Sequence, residues 1–426
     1  MNTFIRVLFY ILLFWLPYSP AVVETCVVLA LILWILKRSI LLRQKYLSGL
    51  LRNEGVLGYV TCFKPENSFL NKPILFFLIA CFLSIFNSVI FFDSLHNFFT
   101  KTLEWFLVYF LVLEVFKTER QILIALGVIL LTTFSTALDS LIQYFTFKDI
   151  FLGHLIEPQG RVTAAFKTPN GLGAYLILSL PLMMSAVWSF RRRRGVGVAL
   201  SLCVVLVLAS LVLTFSRGAW VGAAMGIIFM GLTIIWRKTK SVFFISSGIL
   251  LTLILVGFFF FMTVQKRTYQ SHLHRNTSQW RLDIWWDSLK MIKEKPLLGH
   301  GINTYMRVFQ NYQRKFEGLH PYNPTYAHNC YLQLTAETGV IGLLGFLGIL
   351  MTLFCKSFEK IKHILEKNAN MMGLFLGMLS GIVAFLVHSF FDNNFYSLQL
   401  SVYLWVMIGM LGALGALLKD PGRGAV

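Results

Sequence analysis

The sequence predicts an all-α, polytopic integral membrane protein of about twelve transmembrane helices. Three observations carry that prediction. Of 426 residues, 57% are hydrophobic and 13% charged, where soluble proteins are nearer roughly 25% charged. Apolar runs recur along the whole chain, most of them near the roughly 17–25 residues that cross a bilayer as helix. The 40 phenylalanines suit surface that faces lipid.

Taken in order, the first two predicted spans, 4–18 and 21–36, are short and form a hairpin around "LPYSP". Arg6 precedes an apolar run ending at Pro17, with no clear small-residue cleavage site and a second span at once behind it. That segment reads as a retained span rather than a removed signal. Spans follow at 72–92, 100–116, 121–143, 169–189, 196–214, 218–236 and 242–264, so residues 1–264 form one block of nine helices with short loops. Thr168 followed by Pro169 is a cap and first-turn pair for the span at 169. Residues 265–335 form a large polar loop. Spans at 336–355, 371–391 and 395–418 and a short tail complete the block 336–426. Six cysteines are scattered without metal-ligand spacing or a paired framework, so neither a metal nor an essential disulfide is expected.

The net charge of +19 would suggest nucleic acid in a soluble protein. Here much of it follows from topology. With the N-terminus cytoplasmic, the inside segments carry 23 of the 38 Lys and Arg, including "RRRR" at 191–194. The outside segments carry 15, of which ten lie in the 265–335 loop. Long loops largely escape the positive-inside rule, so the short segments decide, and they favour both termini inside. No nucleic-acid partner is expected.

That orientation places Arg217, at the turn between the spans 196–214 and 218–236, on the outer face. No acidic residue lies within twenty positions of it. A charge at a helix centre costs about 2.5–3.5 kcal/mol on the insertion scale, so an arginine flanked by apolar spans calls for a partner. In the outer loop, "TSQWRLDIWWDSLKMIKEKP" has helical periodicity, with Leu282, Trp285, Leu289 and Ile292 as an apolar stripe, Ser278 as a cap and Pro296 as a stop. It is expected along the membrane interface, with Arg281 in its first turn. "LLGHGINTY" then reads as a glycine-flanked turn that brings backbone close to a ligand. "AHN" precedes the helix that enters the membrane at about 336. Further outer segments hold Arg161 and Lys167, and His388 with Asp392. Arginines and a histidine at headgroup depth suit an anionic lipid headgroup, a phosphate or pyrophosphate, which the planar guanidinium grips with two hydrogen bonds.

Each residue alone has a plainer explanation. A single interfacial arginine is often a snorkelling anchor. Arg281 could be a solvated helix face and His328 a helix-start histidine. Asp283 and Asp287 are expected to pair with nearby lysines rather than hold a metal. His272 and His274 are two ligands without a placed carboxylate. The convergence at one face is what favours a site.

Three stretches together resemble the O-antigen ligase superfamily: "LTFSRGAW", "RLDIWWDSLKMIKEKPLLGHGINTY" and "YAHNCYLQLTAETGVIGLLGF". "GRVTAAFKTPNGLGAYL" upstream fits as well. The resemblance covers about residues 155–395. It implies a membrane glycosyltransferase fold of the GT-C type that works without metal or cofactor. It also implies transfer of a glycan from undecaprenyl pyrophosphate to an acceptor hydroxyl, on the periplasmic side of a bacterial inner membrane. In the ligases the acceptor is a sugar of the lipid A core. The family's two arginines match Arg217 and Arg281, assigned to the pyrophosphate, and its histidine matches His328, assigned as general base. Arg161, Lys167, Asn329 and Asp392 are further substrate-binding candidates, and Asp392 or Glu337 could orient His328. An O-antigen polymerase or a protein O-oligosaccharyltransferase remains open within the superfamily. The chain stops eight residues after its last span, which favours the ligase or polymerase. A transporter of lipid-linked glycans is the alternative of another class. It predicts mid-membrane charges and an internal repeat.

Overall fold

The computed structural model describes residues 1–48, 55–235, 277–313, 326–364 and 369–418, and every regular element among them is helical. In chain order these are α1 (Asn2–Trp15), α2 (Pro20–Leu47), α3 (Gly55–Cys62), α4 (Asn71–Ile85), α5 (Phe91–Asn97), α6 (Leu103–Val115), α7 (Glu119–Thr146), α8 (Pro169–Phe190), α9 (Arg194–Leu213), α10 (Arg217–Ile235), α11 (Thr277–Glu294), α12 (Tyr305–Phe309), α13 (Cys330–Ile364), α14 (Ala369–His388) and α15 (Leu398–Leu417).

Among the described residues eight helices are long and apolar enough to cross a membrane: α2, α7, α8, α9, α10, α13, α14 and α15. Helices α1 and α4 are apolar but shorter, at 14 and 15 residues. The expected span 100–116 instead begins with a π-helical turn, Phe98–Thr102, that leads into the 13 residues of α6. The expected span 242–264 lies outside the described residues. Helix starts follow local chemistry. Ser19 accepts from Val22 N ahead of Pro20, and Thr168 Oγ1 accepts from Gly171 N at 3.1 Å ahead of Pro169, the cap and proline pairing expected for α8.

Small residues set the centre of the bundle. Gly373, Gly377 and Gly381 turn one face of α14 to α8, and Gly218, Gly222 and Gly226 of α10 press on another face. A Cβ built on Gly222 would lie 2.6 Å from Ala384 O. Helices pack this closely only where side chains are missing, because apolar lipid gives helices no hydrophobic reason to associate. Gly222→Val is therefore expected to part α10 from α14 at a cost of about 1–3 kcal/mol. The check is a lower melting temperature in detergent than the wild type.

Helix α13 starts at Cys330, directly after "AHN" as expected, and its backbone breaks at Gly339 (φ 68°, ψ −175°). The segment Pro296–Gly301 docks in that break. Val340 N donates to Pro296 O at 2.8 Å, His300 N to Ala336 O at 3.0 Å and Gly301 N to Glu337 O at 2.9 Å. A Cβ on Gly339 would fall 2.0 Å from Leu297 O, in a backbone region that also favours glycine. "LLGHGINTY" thus brings its backbone close to α13, where a ligand had been expected.

The buried stripe of α11 also differs from expectation. Ile284, Asp287, Ser288 and Met291 are buried, while Leu282 and Leu289 are 45% and 43% exposed. Helical spacing is right, and Trp285 and Ile292 of the expected stripe pack on the core beneath the helix, but Leu282 and Leu289 point away from it. A small second core decides it: Ile284 and Met291 pack with Tyr305, Val308, Phe309, Ala327 and Ala336. Asp287 pairs with Lys290 at 2.8 Å, as its spacing predicts.

The loops expected on one side of the membrane meet at one end of the bundle. Lys295 Nζ donates to Asn87 O, Ser94 Oγ to Ile302 O, Val162 N to Leu213 O and Cys330 N to Ser389 O.

Candidate active site at one end of the bundle

Four local structures build the site. The first is the α9–α10 turn. Phe215 takes a positive φ of 48° there, and Arg217 opens α10. A cation at a helix N-terminus faces the positive end of the helix dipole, an arrangement that an anion between them would stabilise. Arg161 braces this turn. Its Nε donates to Thr214 O at 2.9 Å, its Nη2 to Asn170 Oδ1 at 3.1 Å, and Glu157 lies 3.6 Å from its Nη1. It stands beside the predicted site with its guanidinium engaged by protein groups. Lys167 is exposed two residues before α8.

The second is the first turns of α11, which present Arg281. Its side chain is largely buried, and its Nε has no hydrogen-bond partner among the described residues. Burial pulls the guanidinium pKa below its ordinary value; the Asp392 charge opposes this and the Arg217 charge adds to it. Two arginines 64 residues apart in sequence therefore share one electrostatic neighbourhood.

The third is the segment before α13. His328 has a positive φ of 50°, uncommon for a residue with a side chain. Trp280 packs on its imidazole with ring centroids 5.1 Å apart, and Trp285 Nε1 donates to Ala327 O at 3.1 Å, so α11 holds this segment from one side. Asn329, a substrate-binding candidate, caps α13: its Oδ1 accepts from Tyr331 N at 3.0 Å and Leu332 N at 3.1 Å.

The fourth is the turn after α14. Asp392 Oδ1 lies 3.2 Å from His328 Nδ1 and accepts from Asn393 N at 2.8 Å. Burial pushes the Asp392 pKa up, but the His328 hydrogen bond and the charges of His328, His388 and Arg281 together hold it well below the carboxylate range. An ionised Asp392 fixes the proton of His328 on Nδ1, which leaves Nε2 as the ring nitrogen able to accept a proton. Buried His388 joins this turn through Asn394 Nδ2, 2.8 Å from its Nδ1, and Gly218 packs against His388 and Phe391. The α10 start and the Asp392 turn are thus direct neighbours.

Glu337 does not touch His328. Its Oε1 accepts from Tyr305 N at 3.2 Å and Gln333 Nε2 at 3.3 Å, and its Oε2 from Tyr396 OH at 3.1 Å. Among the described residues no group of three or more His, Cys, Asp and Glu side chains is placed to hold a metal ion.

The Asp392 shift has a measurable consequence. Its folded pKa lies below the ordinary value of about 3.9. Its ionised form therefore stabilises the fold above that pH, and the contribution disappears as pH falls below it. The melting temperature of Asp392→Asn is expected to lie below that of the wild type at pH 7, with the gap closing as pH falls below about 4. A gap constant with pH contradicts the ionised assignment.

Residues 202–347 match the family model described as O-antigen ligase. A Rickettsia typhi protein named "Putative polysaccharide ligase" is 30% identical over 218 residues, covering 48% of this chain and 51% of the relative. A Rickettsia prowazekii protein of the same name is 29% identical over the same shares of both chains. An uncharacterized Haemophilus influenzae protein is 26% identical over 214 residues, 45% of this chain and 51% of its own. The chain spans about half the length of the curated relatives it matches. The matched stretch, residues 202–347, carries Arg217, Arg281 and His328.

Proposed function

We propose that this chain is a membrane glycosyltransferase, an O-antigen ligase. It takes a glycan from undecaprenyl pyrophosphate and passes it to a hydroxyl of the lipid A core, at the periplasmic face of the inner membrane. The observation that carries the reading is the His328–Asp392 pair set beside the two family arginines. The acceptor oxygen attacks the anomeric carbon of the donor sugar. The bond from that carbon to the pyrophosphate oxygen breaks, and its electron pair leaves with the pyrophosphate. The acceptor's proton passes to Nε2 of His328, and Asp392 stabilises the imidazolium that forms. Arg217 and Arg281 bind the diphosphate and offset the charge that develops on it. A single in-line displacement inverts the anomeric centre, so a product with retained configuration would exclude it.

Arg161 then acts by holding the Arg217 turn, with Lys167 at the rim. Both termini are on the cytoplasmic side in this reading. A polymerase or a protein O-oligosaccharyltransferase would use the same groups with another acceptor. A deletion strain separates these. A ligase predicts loss of long lipopolysaccharide chains with lipid-linked polymer accumulating. Accumulation of single lipid-linked repeat units would point to the polymerase instead.

A further inference from the structure

A cavity of about 430 Å³ lies at the same end of the bundle, between α6, α13 and α15. That volume falls in the range of about 300–1,000 Å³ typical of small-molecule sites. Glu104, Trp105 and Trp405 line it, and Asn303, Tyr326 and Glu337 close it toward the catalytic turn. Its chemistry is unlike that of the arginine site. The carboxylates Glu24, Glu104 and Glu337 face it, against Lys101 and His96 as the basic groups.

Glu104 is only 9% exposed, and its Oε1 is buried with no hydrogen-bond partner among the described residues. A buried carboxylate oxygen left unmatched is uncommon in folded proteins, and the Glu104 side chain stands in the cavity wall. Aromatic walls with an unmatched carboxylate suit a sugar ring, whose C–H faces pack on aromatic rings while its hydroxyls donate. The cavity also abuts the catalytic turn. Tyr326 stands two residues before His328. Glu337 bonds to Gln333, whose Oε1 accepts from Ala327 N at 3.2 Å and from Asn393 Nδ2, the neighbours of His328 and Asp392.

We infer that this cavity is the subsite for a sugar ring of the acceptor, one of whose hydroxyls donates to Glu104. The inference rests on the glycan-transfer reading, and binding without turnover tests it separately. The probe is rough lipopolysaccharide, lipid A with core sugars and no polymer, titrated against purified full-length His328→Ala protein. Adding Glu104→Leu is expected to weaken that binding by about tenfold, the loss of one buried hydrogen bond. Binding of the lipid pyrophosphate-linked glycan should stay unchanged. Trp105→Ala, at a half-buried wall position, should act in the same direction and covers the case in which Glu104→Leu fails to fold. Unchanged acceptor binding in both variants overturns the inference. So does weakened donor binding instead, which would assign the cavity to the donor glycan, and so does failure of the parent protein to bind rough lipopolysaccharide. A wild-type protein that binds the acceptor but forms no product would count against the transfer reading alone.

Discussion

His328→Ala is expected to lower the rate of glycan transfer by about a hundred- to ten-thousand-fold, the usual contribution of a positioned general base, while the protein still inserts and binds donor. The geometry sets this expectation. Trp280 and Asp392 leave the imidazole one orientation, with Nδ1 on the carboxylate. The positive φ at His328 is backbone strain held at the point where the side chain must be aimed. Asp392→Asn should also slow transfer, because an amide can stabilise the wrong tautomer and cannot offset an imidazolium. Transfer rates at saturating donor and acceptor measure both, and full activity of His328→Ala would remove the proposed base.

Arg281→Ala is expected to cost about a hundred- to thousand-fold in turnover, with weaker donor binding, as loss of a buried donor to a developing anion does elsewhere. Its Nε is buried and unmatched among the described residues, and both Arg217 and Asp392 act on its charge. The Arg281 and Arg217 charges repel, and a diphosphate between them would offset that repulsion. Arg281→Lys should rescue little, because a point charge lacks the two-pronged fork that matches phosphate oxygens. The comparison of alanine and lysine variants, read as turnover and donor binding, separates charge from geometry. Full rescue by lysine would reduce Arg281 to a source of field.

Much of the helical frame was legible in the sequence, because apolar run length is a direct record of bilayer thickness. The long spans α7, α8, α9, α10, α14 and α15 fall close to their expected bounds. The misses arise where tertiary contact overrides local pattern. Leu282 and Leu289 fit the helical period of α11 as well as Ile284 and Met291 do, and only the second core beneath the helix selects the face. The glycines of "LLGHGINTY" signalled close backbone approach, but not to what. The break at Gly339 that receives them is far along the chain. Motif resemblance singled out Arg217, Arg281 and His328, and the structure sets all three around Asp392 and its neighbours. The Asp392 partner was one of two options, and the structure brings Asp392, not Glu337, to the imidazole. Arg161 and Asn329 are ligand-binding candidates in the sequence by position. The Arg161 bond to Thr214 O is long-range and invisible to local rules, whereas the Asn329 cap follows from an asparagine directly before a helix.

The most direct test of the account reconstitutes purified protein in liposomes with undecaprenyl pyrophosphate-linked glycan and rough lipopolysaccharide. The account predicts one glycan joined to the acceptor for each lipid pyrophosphate released, with product lost in His328→Ala. Donor carried intact across the bilayer with no new glycosidic bond would contradict it.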